Sequence, residues 1–208
     1  MTKCVATAVT RMSRTSGRSR DTVWNIALPS GSRSKALSDP VLVMVSHRVM
    51  GSTLLTVGDF QSSANHFEET IRLSPNKGKQ SLYNLYMVEP KAASLLLLSW
   101  DLWFLGYPDQ SLSRVSEALA LAQNLGHPYT VAFARYMTSV VHLLRGDAAR
   151  AFESAEKSFE MSQEQRFSLY SILSRISRGR AVGDLGRLGE AQAEIALVAP
   201  VIENDGNF

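Results

Sequence analysis

The sequence is poor in cysteine and in long apolar runs. Cys4 is its only cysteine in 208 residues, so an intrachain disulfide and a disulfide-stapled secreted fold are excluded. Uninterrupted apolar runs are short: the run from Val41 to Val45 ends after five residues, with His47 and Arg48 close behind. A membrane-spanning helix needs about 20 apolar residues. These absences predict a cytoplasmic protein with no membrane partner.

Acidic residues are scarce in the first part of the chain. Residues 1–37 carry seven Lys or Arg against one acid, a net charge of +6, whereas the remaining 171 residues carry 15 bases and 18 acids. A nucleic-acid-binding module carries its basic stripe on the folded part, so nucleic acid is a disfavoured partner. Because residues 1–37 are rich in Ser and Arg without apolar periodicity, they favour a disordered segment, with a mitochondrial transit peptide as the alternative.

Four regularly spaced glycines organise the rest of the chain. Gly58, Gly106, Gly146 and Gly186 are separated by 48, 40 and 40 residues, and each lies between two stretches with helical character. Glycine ends a helix well because it adopts a left-handed conformation without a Cβ clash. The pattern predicts a repeat domain over 38–208 with four helical hairpins, at about 40–77, 90–126, 128–165 and 167–205.

Small residues recur seven positions before and five positions after each of these glycines. They allow the paired helices to approach closely, while bulky residues nine positions after a glycine fill the space between neighbours. The repeat-defining residues are Gly51, Gly58, Phe67, Pro75, Ser99, Gly106, Ala118, Ser139, Gly146, Ala151, Gly179, Gly186 and Ala191.

This order of landmarks resembles the tetratricopeptide repeat. The resemblance implies an all-α fold, a tetratricopeptide-like helical-hairpin solenoid of about four helix pairs, in which each hairpin buries its apolar face against its neighbours. Residues 105–112 (LGYPDQSL), 117–128 (EALALAQNLGHP) and 140–147 (VVHLLRGD) resemble, more closely, the C-terminal region of bacterial regulators that join a class III adenylate/guanylate cyclase to an AAA/STAND-type ATPase. That resemblance implies signal transduction, with the chain's own upstream regulator domains as one candidate partner.

Residues suited to catalysis are sparse and separated. The four histidines, at 47, 66, 127 and 142, are too scattered along the sequence for a metal set, and no phosphate-binding G-x-x-x-x-G-K-S/T loop is present. Glu68 and Glu69 are adjacent on a helix, so they point about 100° apart and cannot converge on one substrate. The sequence predicts no catalytic residue, no cofactor and no metal site.

A binding surface is the stronger candidate. In this repeat type the first helix of each hairpin lines the concave face, and an apolar groove of that kind is typical of a binding site. The alternative is that the same side chains pack in the core. The predicted groove residues are Leu96, Trp100, Trp103, Phe104, Phe133, Tyr136 and Val140.

The sequence therefore predicts a non-catalytic scaffold or sensor module that binds a protein or peptide, as a truncated or detached part of a bacterial signalling regulator. The alternative is the C-terminal regulatory region of an ATP-dependent adenylate/guanylate cyclase or STAND-type transcriptional regulator, active only with its missing catalytic domains.

Overall fold

The computed structural model describes residues 40–74 and 88–199, which contain eight helices and no strands. These helices pack as four hairpins, each joined by a short turn, so the predicted all-α, tetratricopeptide-like class is confirmed. The helices are α1 Pro40–Val57, α2 Phe60–Leu73, α3 Pro90–Phe104, α4 Pro108–Leu125, α5 Pro128–Leu144, α6 Ala148–Glu164, α7 Ser168–Asp184 and α8 Leu188–Ala196.

Proline and a capping side chain together set where α3 and α5 begin. Proline suits the first helical position, because its fixed φ matches the helix and the position needs no hydrogen-bond donor. The carboxylate of Glu89 accepts a hydrogen bond from the Ala92 amide, and His127 Nδ1 accepts one from the Thr130 amide at 3.3 Å. One backbone donor at the start of α3 and one at the start of α5 are thereby satisfied.

Glycines in the left-handed region end the first helix of each hairpin. Gly106 has φ +87° and Gly146 has φ +75°, values that L-residues with a Cβ rarely adopt. Each glycine amide donates to the carbonyl three residues earlier, Trp103 and Leu143 respectively, at 3.0 Å. The chain therefore turns sharply there and starts the second helix after one or two further residues.

The chain divides into two compact units between Ser74 and Pro75. The first unit contains the α1–α2 hairpin, which is held by a close contact between Gly51 and Phe67. The Phe67 ring is fully buried, and a Cβ at position 51 would lie only 2.8 Å from its Cε1 atom. Ser63 Oγ also donates to the Gly51 carbonyl at 2.9 Å, and this hydrogen bond joins α2 directly to α1.

The second unit contains the hairpins α3–α4, α5–α6 and α7–α8. Its small residues lie at helix contacts: Ser99, Ala118, Ser139 and Ala151 have no exposed surface, and Gly179 lies against Glu194 and Ile195. The remaining repeat-defining positions of the described chain are Gly58 and Gly186, which are turn glycines with positive φ, and the buried Ala191. Predictions for residues 1–37, Pro75 and residues 200–208 fall outside the described residues.

Buried polar contacts join α5, α6 and α7 within the second unit. Ser158 Oγ donates to the Ala132 carbonyl at 2.8 Å and accepts from Ser174 Oγ at 2.8 Å. All of these groups are inside the protein, where an unpaired polar atom would be costly. The three helices are consequently fixed in register by hydrogen bonds as well as by apolar packing.

Charged side chains hold the last hairpin in place. Arg178 pairs with Glu156 of α6 at 3.0 Å and with Glu194 of α8 at 2.8 Å, and Arg175 reaches Glu194 at 3.4 Å. Both guanidinium groups also lie over the ring of Phe159, at 4.7 and 4.8 Å from its centroid. Glu156 and Glu194 therefore help to hold α7 against α6 and α8.

Helix α1 has a higher average hydropathy than its short uninterrupted apolar runs suggest. Among the described helices, it is the one long and apolar enough, by length and composition, to cross a membrane, and 17% of it is buried. Run lengths overlook this property because Ser, Thr and His interrupt the apolar residues without greatly lowering the average hydropathy. A helix in a protein core meets the same two criteria, so the property by itself does not define a membrane segment.

Candidate protein-interaction groove

The predicted groove residues lie on α3 and α5, the first helices of two hairpins in the second unit. α5 packs against both α3 and α7, so side chains on corresponding faces of these helices lie side by side. The groove is defined here by Trp100, Trp103 and Phe104 on α3 together with Phe133, Tyr136 and Val140 on α5. None of these six side chains carries a charge.

Leu96 does not belong to this groove. Its side chain has no exposed surface, because α3 is covered around most of its circumference and ten of its fifteen residues are buried. The helical register places Leu96 on the same face as Trp100, but register alone does not show how far neighbouring elements cover that face. The prediction that Leu96 lines an open groove is therefore wrong.

The other groove residues keep part of their surface accessible. Phe104 is 56% exposed, and Trp100, Trp103, Phe133, Tyr136 and Val140 are half-buried. Phe104 lies two residues before Gly106, and Leu144, which is 42% exposed, lies two residues before Gly146. The equivalent ends of α3 and α5 thus both present an apolar side chain to solvent.

An aromatic cluster forms where α5 meets α7. Tyr170 is its centre: the ring of Phe133 stacks on it at 5.3 Å, Tyr129 meets it edge-on at 4.9 Å, and Tyr136 lies 6.3 Å away. Phe167 extends the cluster through an edge-on contact with Tyr129 at 5.0 Å. Such aromatic contacts stabilise beyond simple burial of area, so the cluster gives this part of the groove a rigid wall.

Burial affects the hydroxyl groups of Tyr136 and Tyr170. Burial raises the pKa of Tyr136, and burial together with the neighbouring Tyr129 raises the pKa of Tyr170 far above its usual range. Both groups therefore lose their protons less readily than a free tyrosine. A neutral aromatic wall of this kind suits an apolar or uncharged polar ligand.

Sequence reasoning missed Tyr129, Phe167 and Tyr170. Tyr129 follows Pro128 at a helix start, and Phe167 and Tyr170 flank the start of α7. Their shared position at the beginning of consecutive first helices was a usable signal. The turn glycines that define the repeat follow the C-terminal ends of the first helices, so their spacing carries no information about the residues at the helix starts.

The indole of Trp100 has an unsatisfied donor. Its Nε1 atom is buried, and within the described part of the chain no acceptor pairs with it. Leaving a buried donor unpaired costs about 1–3 kcal/mol. The accessible part of the Trp100 side chain is therefore its apolar ring surface, since Nε1 itself is closed to a ligand.

Carboxylates that could have suggested catalysis have structural partners. Asp59 accepts from the Ser62 amide at 3.2 Å and so caps α2, and Glu69 pairs with Arg72 at 2.6 Å. Glu153 pairs with Lys157 on the exposed side of α6, and this contact lowers the pKa of Glu153. These acids are therefore committed to helix ends and surface pairs.

The histidines are more closely arranged than their sequence positions suggest. His142 is buried on α5, with burial lowering its pKa and Asp147 at 3.9 Å opposing that change. His47 and His66, nineteen residues apart, meet with their Nδ1 atoms 2.9 Å apart. Across residues 40–74 and 88–199, no group of three or more His, Cys, Asp or Glu side chains is placed to hold a metal ion.

Helical hairpins with small residues at their contacts and aromatic side chains along the first helices define a tetratricopeptide-like solenoid. Solved structures agree with this class. The chain is similar to the crystal structure of BtubC (BKLC) from P. vanneervenii, with 17% identity and a TM-score of 0.70 over 99% of this chain and 80% of that one.

Two crystal structures of MamA are also similar in fold. One matches with 15% identity and a TM-score of 0.54 over 100% of this chain and 97% of that chain. The other matches with 15% identity and a TM-score of 0.55 over 87% and 99%. No protein-family model and no curated protein matches the sequence. At these identities the similarity concerns the fold alone.

Proposed function

We propose that this protein is a non-catalytic scaffold that binds a peptide segment of a partner protein in the groove formed by α3 and α5. The observation that carries the proposal is a set of aromatic side chains on α3 and α5 that keep part of their surface accessible. Phe104 is 56% exposed, and Trp100, Trp103, Phe133 and Tyr136 are half-buried. An extended or helical segment with apolar side chains would cover the Phe104 ring and the accessible parts of the other rings.

The rigidity of the groove supports binding. The Tyr170 cluster and the buried Ser158 hydrogen bonds fix α5 and α7, so the protein loses little conformational entropy when a ligand binds. Aromatic side chains are also the residues that most often dominate binding energy in interfaces. The partner therefore supplies most of the ordering cost, and the scaffold supplies a preformed surface.

The cellular context is a second part of the proposal. We place the protein in the cytoplasm, on the basis of its single cysteine, and as a detached part of a bacterial signalling regulator, on the basis of the resemblance in residues 105–112 and 117–128. An immunoblot of native cells tests this context. A band near 22.9 kDa supports a free module, and a band several times larger supports a regulatory arm joined to catalytic domains.

Peptide selection tests the groove directly. Peptides selected from a random library on the full chain should bind Phe104→Ser at least tenfold more weakly, a change equal to about 1.4 kcal/mol. Trp100→Ala removes a half-buried aromatic ring of the groove, and it should weaken binding as well. The matched control is Leu188→Ser, which changes an equally apolar side chain, 67% exposed, on α8. Equal affinity for all four proteins would reject the groove as the binding site.

A further inference from the structure

Two histidines of the α1–α2 hairpin face each other at metal-ligand spacing. His47 lies on α1 and His66 on α2, their Nδ1 atoms are 2.9 Å apart, and their ring centroids are 5.0 Å apart. Both side chains are half-buried, so each ring is held by the hairpin while its site remains open to small ions. We propose that His47 and His66 form a two-histidine clip for a divalent transition-metal ion, with water as the remaining ligands.

The distance between the two Nδ1 atoms can be compared with the coordination geometries of metal ions. Two nitrogens bound to one ion at about 2.0–2.1 Å lie about 2.9 Å apart when the angle between them is 90°, and about 3.3 Å apart in a tetrahedral site. The observed 2.9 Å is the hydrogen bond that the two Nδ1 atoms share without metal, and the same separation is compatible with the first case. When the ion binds, the Nδ1 proton of the donating ring is lost and that ring carries its proton on Nε2 instead, so both Nδ1 lone pairs face the ion. Right-angled ligand pairs are typical of tetragonal Cu²⁺ and Ni²⁺ sites, and imidazole suits both ions.

The hairpin holds the two imidazoles in place. The backbone of α1 and α2 is fixed near the site by the Ser63 hydrogen bond to Gly51 and by the buried Phe67 ring. Glu69, one turn beyond His66, is engaged by Arg72 through two hydrogen bonds, so the clip contains two protein ligands. A two-ligand clip binds more weakly than a closed three- or four-ligand site, and its affinity depends on both histidines together.

The ion also cross-links the two helices of the first hairpin. Binding to the folded hairpin stabilises it, because the separated histidines of the unfolded chain bind the ion more weakly. The clip thus adds a metal-dependent contribution to the stability of the α1–α2 hairpin.

Copper binding in a background without the thiol tests the clip. The full chain carrying Cys4→Ser is used throughout, because a thiol binds and reduces Cu²⁺. Titration with Cu²⁺ should give one ion per chain, and pulsed electron paramagnetic resonance should show two equatorial imidazole nitrogens. His47→Gln and His66→Gln should each lower the affinity at least tenfold.

The matched control is His127→Asn, which removes a histidine from α5 and keeps a side chain able to cap the helix. It should bind Cu²⁺ within twofold of the parent. Circular dichroism of each variant with EDTA establishes that the hairpin is folded, and the imidazole count in the parent protein tests the clip independently of any variant. A spectrum with one imidazole or none, or Cu²⁺ affinity unchanged in His47→Gln, would overturn the proposal.

Discussion

Adding one methyl group at position 51 probes the closest helix contact in the first hairpin. In Gly51→Ala the new Cβ would lie 2.8, 2.9 and 3.0 Å from the Cε1, Cδ1 and Cζ atoms of Phe67. Optimal carbon contacts are about 3.5–4.0 Å, so three ring atoms are too close at once. The ring is fully buried and cannot swing into solvent, so the two helices have to separate.

Two opposing effects decide the size of the change. Alanine is favoured over glycine inside a helix by about 1 kcal/mol. Overpacking a well-filled contact costs about 1–3 kcal/mol. Because the contact is with a fixed ring and not with the end of a flexible side chain, overpacking should exceed the helix preference. The difference between these two terms is at most about 2 kcal/mol, so we expect Gly51→Ala to lower the free energy of unfolding by up to that amount.

Urea unfolding followed by circular dichroism measures this change, and hydrogen exchange of the α1 and α2 amides localises it. The double variant Gly51→Ala with Phe67→Leu should be less destabilised than the sum of the two single variants, with a coupling energy of about 1 kcal/mol or more. Gly189→Ala is the control, since a Cβ there meets nothing within 4 Å. A Gly51→Ala protein as stable as Gly189→Ala would refute the tight contact between α1 and α2.

Two further variants test packing and pH dependence. Ser139→Trp places a large ring at a fully buried position of α5 and should cost about 1–3 kcal/mol or more, whereas the same change at the exposed Ser113 of α4 should leave urea unfolding nearly unchanged. Burial lowers the pKa of His127 and of His142 below the usual 6.5, so the folded protein binds fewer protons than the unfolded chain just below pH 6.5. Unfolding free energy should therefore fall as the pH drops from 7.5 to 5.5, and His127→Asn, which keeps the cap without titrating, should make that fall smaller. An equal pH dependence in His127→Asn would exclude a contribution from this histidine.

Local signals in the sequence predict the helix ends well. Pro90 and Pro128 begin helices because proline fits the first turn, and Gly106 and Gly146 end them because the left-handed conformation is favourable for glycine. Both signals act within a few residues of the chain. They require no knowledge of how the hairpins pack.

Contacts between helices were harder to predict. The His47–His66 pair and the stacking of Phe133 on Tyr170 join residues 19 and 37 positions apart, and periodicity does not specify the relative rotation of two helices. The burial of Leu96 has the same cause, because helical register gives a face but not the depth to which it is covered. The sequence thus predicts which helices form the candidate groove. The aromatic cluster around Tyr170 becomes visible only in the three-dimensional structure.

Photo-crosslinking in native cells tests the central claim that the groove binds a partner. A photoreactive phenylalanine analogue replaces Phe104, which is 56% exposed, in one protein and Leu188, which is 67% exposed, in a second, so that exposed apolar positions inside and outside the groove are compared. A discrete crosslinked partner from position 104 that is absent from position 188, and that is lost when Trp100→Ala is added, is the predicted result. The same partner crosslinked from position 188 but not from position 104 would contradict the claim.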